Sequence, residues 1–364
     1  MVFALILIWV VFQTLTEGAF LQARNLSNLM RQMAVTGILA VGMVLVIVAR
    51  HIDLSVGSLV AFLGAVLAVL NGQKGLDPWA SLGIAMLIGA LVGGAHGFLV
   101  AYQRIPAFIV TLGGMMIFRG ASMWITENST IPLPESSMSG LGTAYLSVIH
   151  GWILTALVVA MLVGWQVWQR FRFRKAGLGL DSWAGEAVKS VFGILVLIAG
   201  MKVLGEYQGI PYPVLLMLIL MGMLHLGAIR TIWGRHIFAL GGNAEAAHLS
   251  GIPVALRSLS LFVLMGVLSA IAGAVLTARV GSASPDAGQL LELDAIASCV
   301  IGGTSLMGGR GSIPGAILGA LVMESLNNGM SLANMEPFWQ YIIKGGVLMM
   351  AVWMDRLSTE RTQA

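Results

Sequence analysis

Long apolar runs separated by short polar breaks make up almost the whole chain. The runs fall at roughly 2–16, 33–49, 54–71, 79–102, 106–126, 148–168, 188–205, 211–229, 258–278, 294–308, 313–331 and 338–355. Most approach the ~20 residues that a helix needs to cross a hydrocarbon core. A backbone in lipid has to satisfy its own hydrogen bonds, so the pattern predicts an all-α fold, a polytopic transmembrane helical bundle. The run 294–308 and the pair flanking Arg50 are too short to cross cleanly. They predict broken or re-entrant segments, shielded by protein or lining a cavity, and leave about ten true spans.

Composition agrees with the pattern. Apolar residues make up 58% and charged residues 10% of the chain, with a mean hydropathy of +0.90. A soluble domain carries about 25% charge, so a solvated globule is excluded. The 46 glycines suit helices that pack through small faces. The single cysteine, Cys299, excludes an internal disulfide and a cysteine-built metal site. Met1 to Leu15 lacks a basic leader, and Thr16-Glu17-Gly18-Ala19 is a poor cleavage site, so this run reads as a first membrane helix.

Basic residues set the expected orientation. Arg170, Arg172, Arg174 and Lys175 follow one run, Arg230, Arg235 and Arg257 lie in the loop 230–257, and Arg356 and Arg361 lie in the tail. One threading puts all three groups, and both termini, in the cytoplasm. The segment 127–147, with Glu127 and Glu135, then falls outside, as do Asp286, Glu292 and Asp294. The basic character thus belongs to cytoplasmic loops, and no basic and aromatic stripe suggests nucleic acid.

Three polar stretches carry candidate function. Gly241–Ile252 is an island of small residues in the basic loop 230–257. It reads either as an ordinary connector or as a short surface helix seated in a groove of a separate motor protein. In the second case Ala246 and Ala247 permit close approach, Glu245 anchors, and Gly242, Asn243, Leu249 and Gly251 complete the contact. The second stretch, His51 to Ser58, joins two apolar runs. Its Asp53 suits a cap on the next helix or a partner for a solute hydroxyl, and Ser55 and Ser58 admit the same two roles. In the third, Asp294–Ser312, glycines permit unwound backbone around Thr304 and Ser305, either for helix packing or for binding a neutral polyol. Asn328 is a further path candidate. Arg119 and Lys344 are expected to snorkel or to pair with acids. Val56-Gly57-Ser58 and Arg310-Gly311-Ser312, each leading into a similar apolar run, suggest two related halves whose discontinuous helices meet near the substrate route.

No phosphate-binding loop, nucleophile elbow or zinc motif occurs, and the six histidines are scattered. No catalytic residue, metal or cofactor is therefore expected.

With these residues in hand, the chain resembles the permeases of bacterial monosaccharide ABC importers, the family of the ribose, galactose and xylose systems. The resemblance rests on Gly37–Met43 leading into Ile52–Ser58, on Pro106–Leu112, on Gly241–Ile252 and on Cys299–Ser312. Ala23–Leu29, Asn328–Ser331, Phe338–Tyr341 and Val352–Asp355 look closest to the D-xylose branch. The resemblance implies a single permease domain over 1–364, with halves near 33–168 and 188–355, in the bacterial inner membrane. It implies transport of a monosaccharide, D-xylose or a similar pentose, by alternating access. The implied partners are an ABC ATPase subunit, a periplasmic sugar-binding protein, a second permease copy and membrane lipid. Arg50 and His51 depart from the family, standing where relatives often carry small residues or an acid, and the tail that precedes the first span in relatives is missing. The competing reading is an ion-coupled secondary transporter, which calls for an ionisable relay within the membrane and no motor-docking island.

Overall fold

The computed structural model describes residues 2–134, 138–175 and 183–363. Fifteen α-helices form among them: α1 (Val2–Leu15), α2 (Ala23–Val48), α3 (Val56–Ala68), α4 (Pro78–Ala101), α5 (Ala107–Ile125), α6 (Ser139–Thr143), α7 (Val148–Lys175), α8 (Trp183–Gly205), α9 (Tyr212–Arg230), α10 (Ile232–Gly242), α11 (Ala244–Leu249), α12 (Val254–Val280), α13 (Leu291–Ile301), α14 (Ile313–Leu332) and α15 (Pro337–Gln363). A π-helical turn, Val69–Gln73, extends α3. Two-residue strand pairs tie loops together: Ile131–Pro132 with Ser282–Ala283, and Tyr145–Leu146 with Ile210–Pro211.

Among the described residues, seven helices are long and apolar enough to cross a membrane: α2, α3 with its π turn, α4, α5, α7, α9 and α12. The protein is thus a polytopic helical membrane protein. α14 is also 20 residues long, but Glu324, Asn327 and Asn328 lower its hydropathy, and it lies inside the bundle. α1 is apolar but only 14 residues long. It packs on α14, where Trp9 Nε1 donates to Ser325 Oγ at 3.0 Å and the Phe12 ring lies against Gly329.

α2 is the central post. From Met33 to Val48 it is buried on every side, among α9, α12, α13 and α14. α4 and α12 form the tightest pair. Ser81, Ala85, Gly89, Gly93 and Gly97 recur every four residues, so they share one buried face of α4. A Cβ at Gly93 would sit 2.1 Å from the Phe262 carbonyl oxygen, and one at Gly266 would sit 1.9 Å from that of Gly89. The two backbones therefore touch without intervening side chains, as small-residue stripes allow in lipid. At the periphery, α5 and α7 expose Leu112, Met116, Ile117, Leu157 and Met161.

The break between α2 and α3 and the one between α12 and α13 are related by direction. α3 runs from the bundle interior toward the Ile131–Pro132 strand, where Gly72 meets the Pro132 carbonyl. α13 begins against the start of α3 and runs the other way, toward the end of α2. At 11 residues it is about 16 Å long, roughly half a hydrocarbon core. The short run noted near 294–308 is thus a half-spanning helix, approached by the non-helical segment 284–290.

Candidate functional site

The island in the loop 230–257 folds as a separate short helix because both of its ends are closed. Asn243 is the N-cap of α11, its side chain accepting the Ala246 N–H at 3.0 Å. At the far end Gly251 adopts φ +80°, and the Ile252 N–H reaches the Ala247 carbonyl at 3.1 Å, a glycine-dependent C-terminal motif. Gly242, Asn243, Glu245, Ala246, Leu249 and Gly251 are exposed, Leu249 at 82%. Ala247, like Gly241, is buried, and it seats α11 on the bundle.

Directly before α11 three stretches of backbone meet. A Cβ at Gly241 would fall 1.7 Å from the Val48 carbonyl oxygen and 2.6 Å from the Gly309 nitrogen. The Gly309 N–H donates to the Val48 carbonyl at 2.9 Å, and Arg50 Nη2 donates to the Gly242 carbonyl at 2.8 Å. Arg50 holds φ +64° to make this reach. The base of α11, the end of α2 and the α13–α14 loop are thereby one mechanical junction. His51 turns inward, its Nε2 3.1 Å from Ser258 Oγ. Both departures from the family pattern are therefore accommodated by specific bonds.

The break at Asp53–Ser58 is buried and internally bonded. One Asp53 carboxylate oxygen accepts the Ser55 N–H at 2.9 Å and the Ser55 hydroxyl at 2.6 Å, while Ser58 donates to the Ser55 carbonyl. Asp53 thus closes the turn that leads into α3, whose N-cap is Ser55 rather than Asp53 and carries no side-chain cap bond. Thr111 Oγ1 donates to the Ile52 carbonyl at 3.2 Å and ties the break to α5.

The partner of this break is not Gly302–Ser312. Gly57 lies against the Gly288 carbonyl and the Glu292 carboxylate, so the starts of α3 and α13 face each other. Gly302–Ser312 instead folds over the end of α2. Within it Thr304 is fully buried with its hydroxyl unpartnered, and Ser305 lies 3.4 Å from Asp355. Asn328 accepts from Asn25 Nδ2 at 2.8 Å, bracing the start of α2.

Two acids sit elsewhere than their sequence positions suggested. Glu292 and Asp294 belong to no outer loop; they are buried in the first turn of α13. The positive end of a helix favours them, and Lys344 Nζ pairs with Asp294 at 3.0 Å. Lys344 is thus one of the expected acid-paired cations. Arg119 lies near the Glu292 carboxyl, but its direct bonds go to backbone. It donates to the Pro285 and Ala287 carbonyls at 2.7 and 3.0 Å, holding the segment that descends to α13. The only sequence signal for this role was a lone arginine within an apolar run. Glu135 lies outside the described residues.

At the opposite face from α11, Leu133, Ser139, Thr143 and Arg279–Gly281 line a cavity of about 690 Å³. The 27-residue α12 separates the two faces by about 40 Å. A short exposed helix on one face, an open vestibule on the other and the facing starts of α3 and α13 between them define a membrane transport component.

The chain belongs to the family described as branched-chain amino acid transport system / permease component, whose model matches residues 25–352. It is 47% identical to the xylose transport system permease protein XylH of Escherichia coli (strain K12), over 100% of this chain and 92% of the relative. It is 43% identical to XylH of Haemophilus influenzae, over 98% of this chain and 95% of the relative. With the ribose import permease protein RbsC of Bacillus subtilis it shares 35%, over 96% and 90%. No solved structure matches.

Proposed function

We propose that this chain is the membrane subunit of an ATP-driven importer that carries D-xylose or a similar pentose across the bacterial inner membrane. The observation that carries the substrate is the greater identity to the xylose permeases than to the ribose permeases, sustained along the whole chain. Hydrolysis belongs to a separate ATPase, which seats α11 through Glu245, Ala246 and the exposed Leu249. A periplasmic sugar-binding protein docks at the vestibule beside Arg279, and a second copy of the permease completes the pore. Both termini are cytoplasmic. The domain is single and has two related halves, near 33–168 and 188–355.

The mechanism follows from the junction at Gly241. Closure of the ATPase pair displaces α11, and Arg50 and Gly309 pass that displacement to the end of α2 and to the α13–α14 loop. The facing starts of α3 and α13, near Asp53, Ser55 and Ser58, then open to one side or the other, while Thr304 and Ser305 lie toward the cytoplasmic exit. Such a device biases two states from both faces and performs no chemistry.

Reconstitution with the neighbouring ATPase and binding protein in proteoliposomes tests this reading. Xylose uptake should need ATP inside and resist a protonophore. Uptake driven by an ion gradient without ATP would establish the secondary-transporter alternative.

A further inference from the structure

The first turn of α13 holds a buried polar centre that the coupling mechanism does not use. Asp294 Oδ2 accepts from Lys344 Nζ at 3.0 Å and from Asn327 Nδ2 at 3.1 Å. Asp294 is nine-tenths or more buried, yet its Oδ1 has no hydrogen-bond partner, and neither has Asn327 Oδ1. Buried acceptors without donors are costly, and they call for a donor from water or from another molecule. A cavity of about 80 Å³ adjoins Asp294, walled by Lys344, Tyr341, Gly345, Leu290 and Leu293.

We infer that this centre, Asp294–Asn327–Lys344 with Tyr341, is a transient binding station for the transported sugar. The inference rests on the pentose reading above. Glu324, which accepts from Thr36 Oγ1, and Glu292 lie close to the Asp294–Lys344 pair, so the centre sets several oxygen acceptors around a single ammonium and suits a solute rich in hydroxyl donors. Once the station opens, sugar hydroxyls donate to the unpartnered Asp294 Oδ1 and Asn327 Oδ1, both closed off in this structure, and accept from Lys344. The Tyr341 ring offers an apolar face to the sugar's C–H groups, an arrangement suited to an amphipathic ring molecule. The cavity is far smaller than the ~300–1,000 Å³ of an open ligand pocket, so the structure shows the station closed. Its walls belong to different helices: Tyr341, Lys344 and Gly345 lie on α15, while Leu290, Leu293 and Asp294 lie at the start of α13. Separation of α15 from α13 enlarges it. Glu292, two residues before Asp294, fixes the same turn against Gly57 of α3, which places the station beside the meeting of the two breaks.

The test uses the permease bound to its ATPase in nanodiscs, with Leu293→Cys at the cavity wall and Cys299→Ala to remove the native thiol. D-xylose should slow alkylation at position 293 severalfold, whereas betaine at equal osmolarity should not. Asp294→Asn and Lys344→Met should each abolish that protection, and Tyr341→Leu should weaken it while leaving the ion pair in place. In proteoliposomes the double variant Asp294→Asn/Lys344→Met, verified as monodisperse, should import xylose about tenfold more slowly, since an unmatched polar site discriminates strongly. Recovery of import in the double variant would show an ordinary structural ion pair and overturn the station. So would absence of protection in a Leu293→Cys/Cys299→Ala protein that still imports xylose. A wild-type complex that imports no pentose would remove the proposed function, and the station with it.

Discussion

Arg50 Nη2 donates to the Gly242 carbonyl across 192 positions of sequence, linking the end of α2 to the residue before the N-cap of α11. The bond is made by a side chain whose own backbone sits at φ +64°, a region that disfavours residues with a Cβ. A constraint of this kind beside the proposed docking helix favours a role in transmission over one in packing alone. Arg50→Ala should leave the ATPase bound and lower ATP-driven uptake severalfold. Arg50→Gly loses the same bond but relieves the backbone, so it should be about 1 kcal/mol more stable than Arg50→Ala. Thermal unfolding of the two variants in detergent checks the difference, and equal stability would argue against strain at this position.

Leu249 projects from α11 with 82% of its surface exposed. Leu249→Glu should reduce recovery of the ATPase with the tagged permease by about tenfold, as charge in a desolvated contact does. Ala246→Trp should act in the same direction. Ala247→Leu should instead destabilise the permease itself, because that side chain faces the bundle. Normal ATPase recovery with the first two variants would move the docking surface elsewhere.

Asp286 is exposed beside the Ser282–Ala283 strand, and Cys299 is buried with its thiol on the Ala40 carbonyl. In a Cys299→Ala background, Asp286→Cys should react with an impermeant thiol reagent added to intact spheroplasts, whereas Gly242→Cys should react only after lysis. The reverse order would invert the proposed topology.

The α4–α12 contact gives a sharp contrast between neighbouring glycines. Gly93→Ala brings a Cβ to within 2.1 Å of the Phe262 carbonyl oxygen, while at Gly94 the nearest atom is a Val263 methyl at 3.9 Å. Gly93→Ala should cost about 1–3 kcal/mol, or abolish folding. Gly94→Ala should be neutral or slightly stabilising. Size-exclusion profiles and melting temperatures distinguish the two.

The apolar runs made the helices legible, since their length and composition alone require helices in lipid. The island at Gly241–Ile252 was legible for a related reason: small polar residues stand out in such a chain. The short run near 294–308 announced a broken helix, but its true bounds, Leu291–Ile301, did not follow from hydropathy. The apolar pattern continues to Leu306 and Met307, whereas the helix stops at Gly302. The descent from α12 to α13 was not readable locally, because Arg119 holds it from more than 160 positions away. The same holds for Glu292 and Asp294. Their acidity suggested water, and only the arrival of Gly57, Asn327 and Lys344 from distant segments explains their burial. Gly302–Ser312 resembled the break before α3 in composition, yet tertiary contacts paired that break with Gly288–Glu292.

Where α4 and α12 touch backbone to backbone, no rotamer change is available to take up movement. The two helices lie far apart in sequence, yet they have to travel as one body throughout a transport cycle. Any rearrangement that admits a solute must therefore slide along other seams. The seam of α5 on α3, built on side chains such as Phe62 and Phe118, and that of α15 on α13 contain rotamers able to shift, so they are the edges along which this protein can come apart and rejoin.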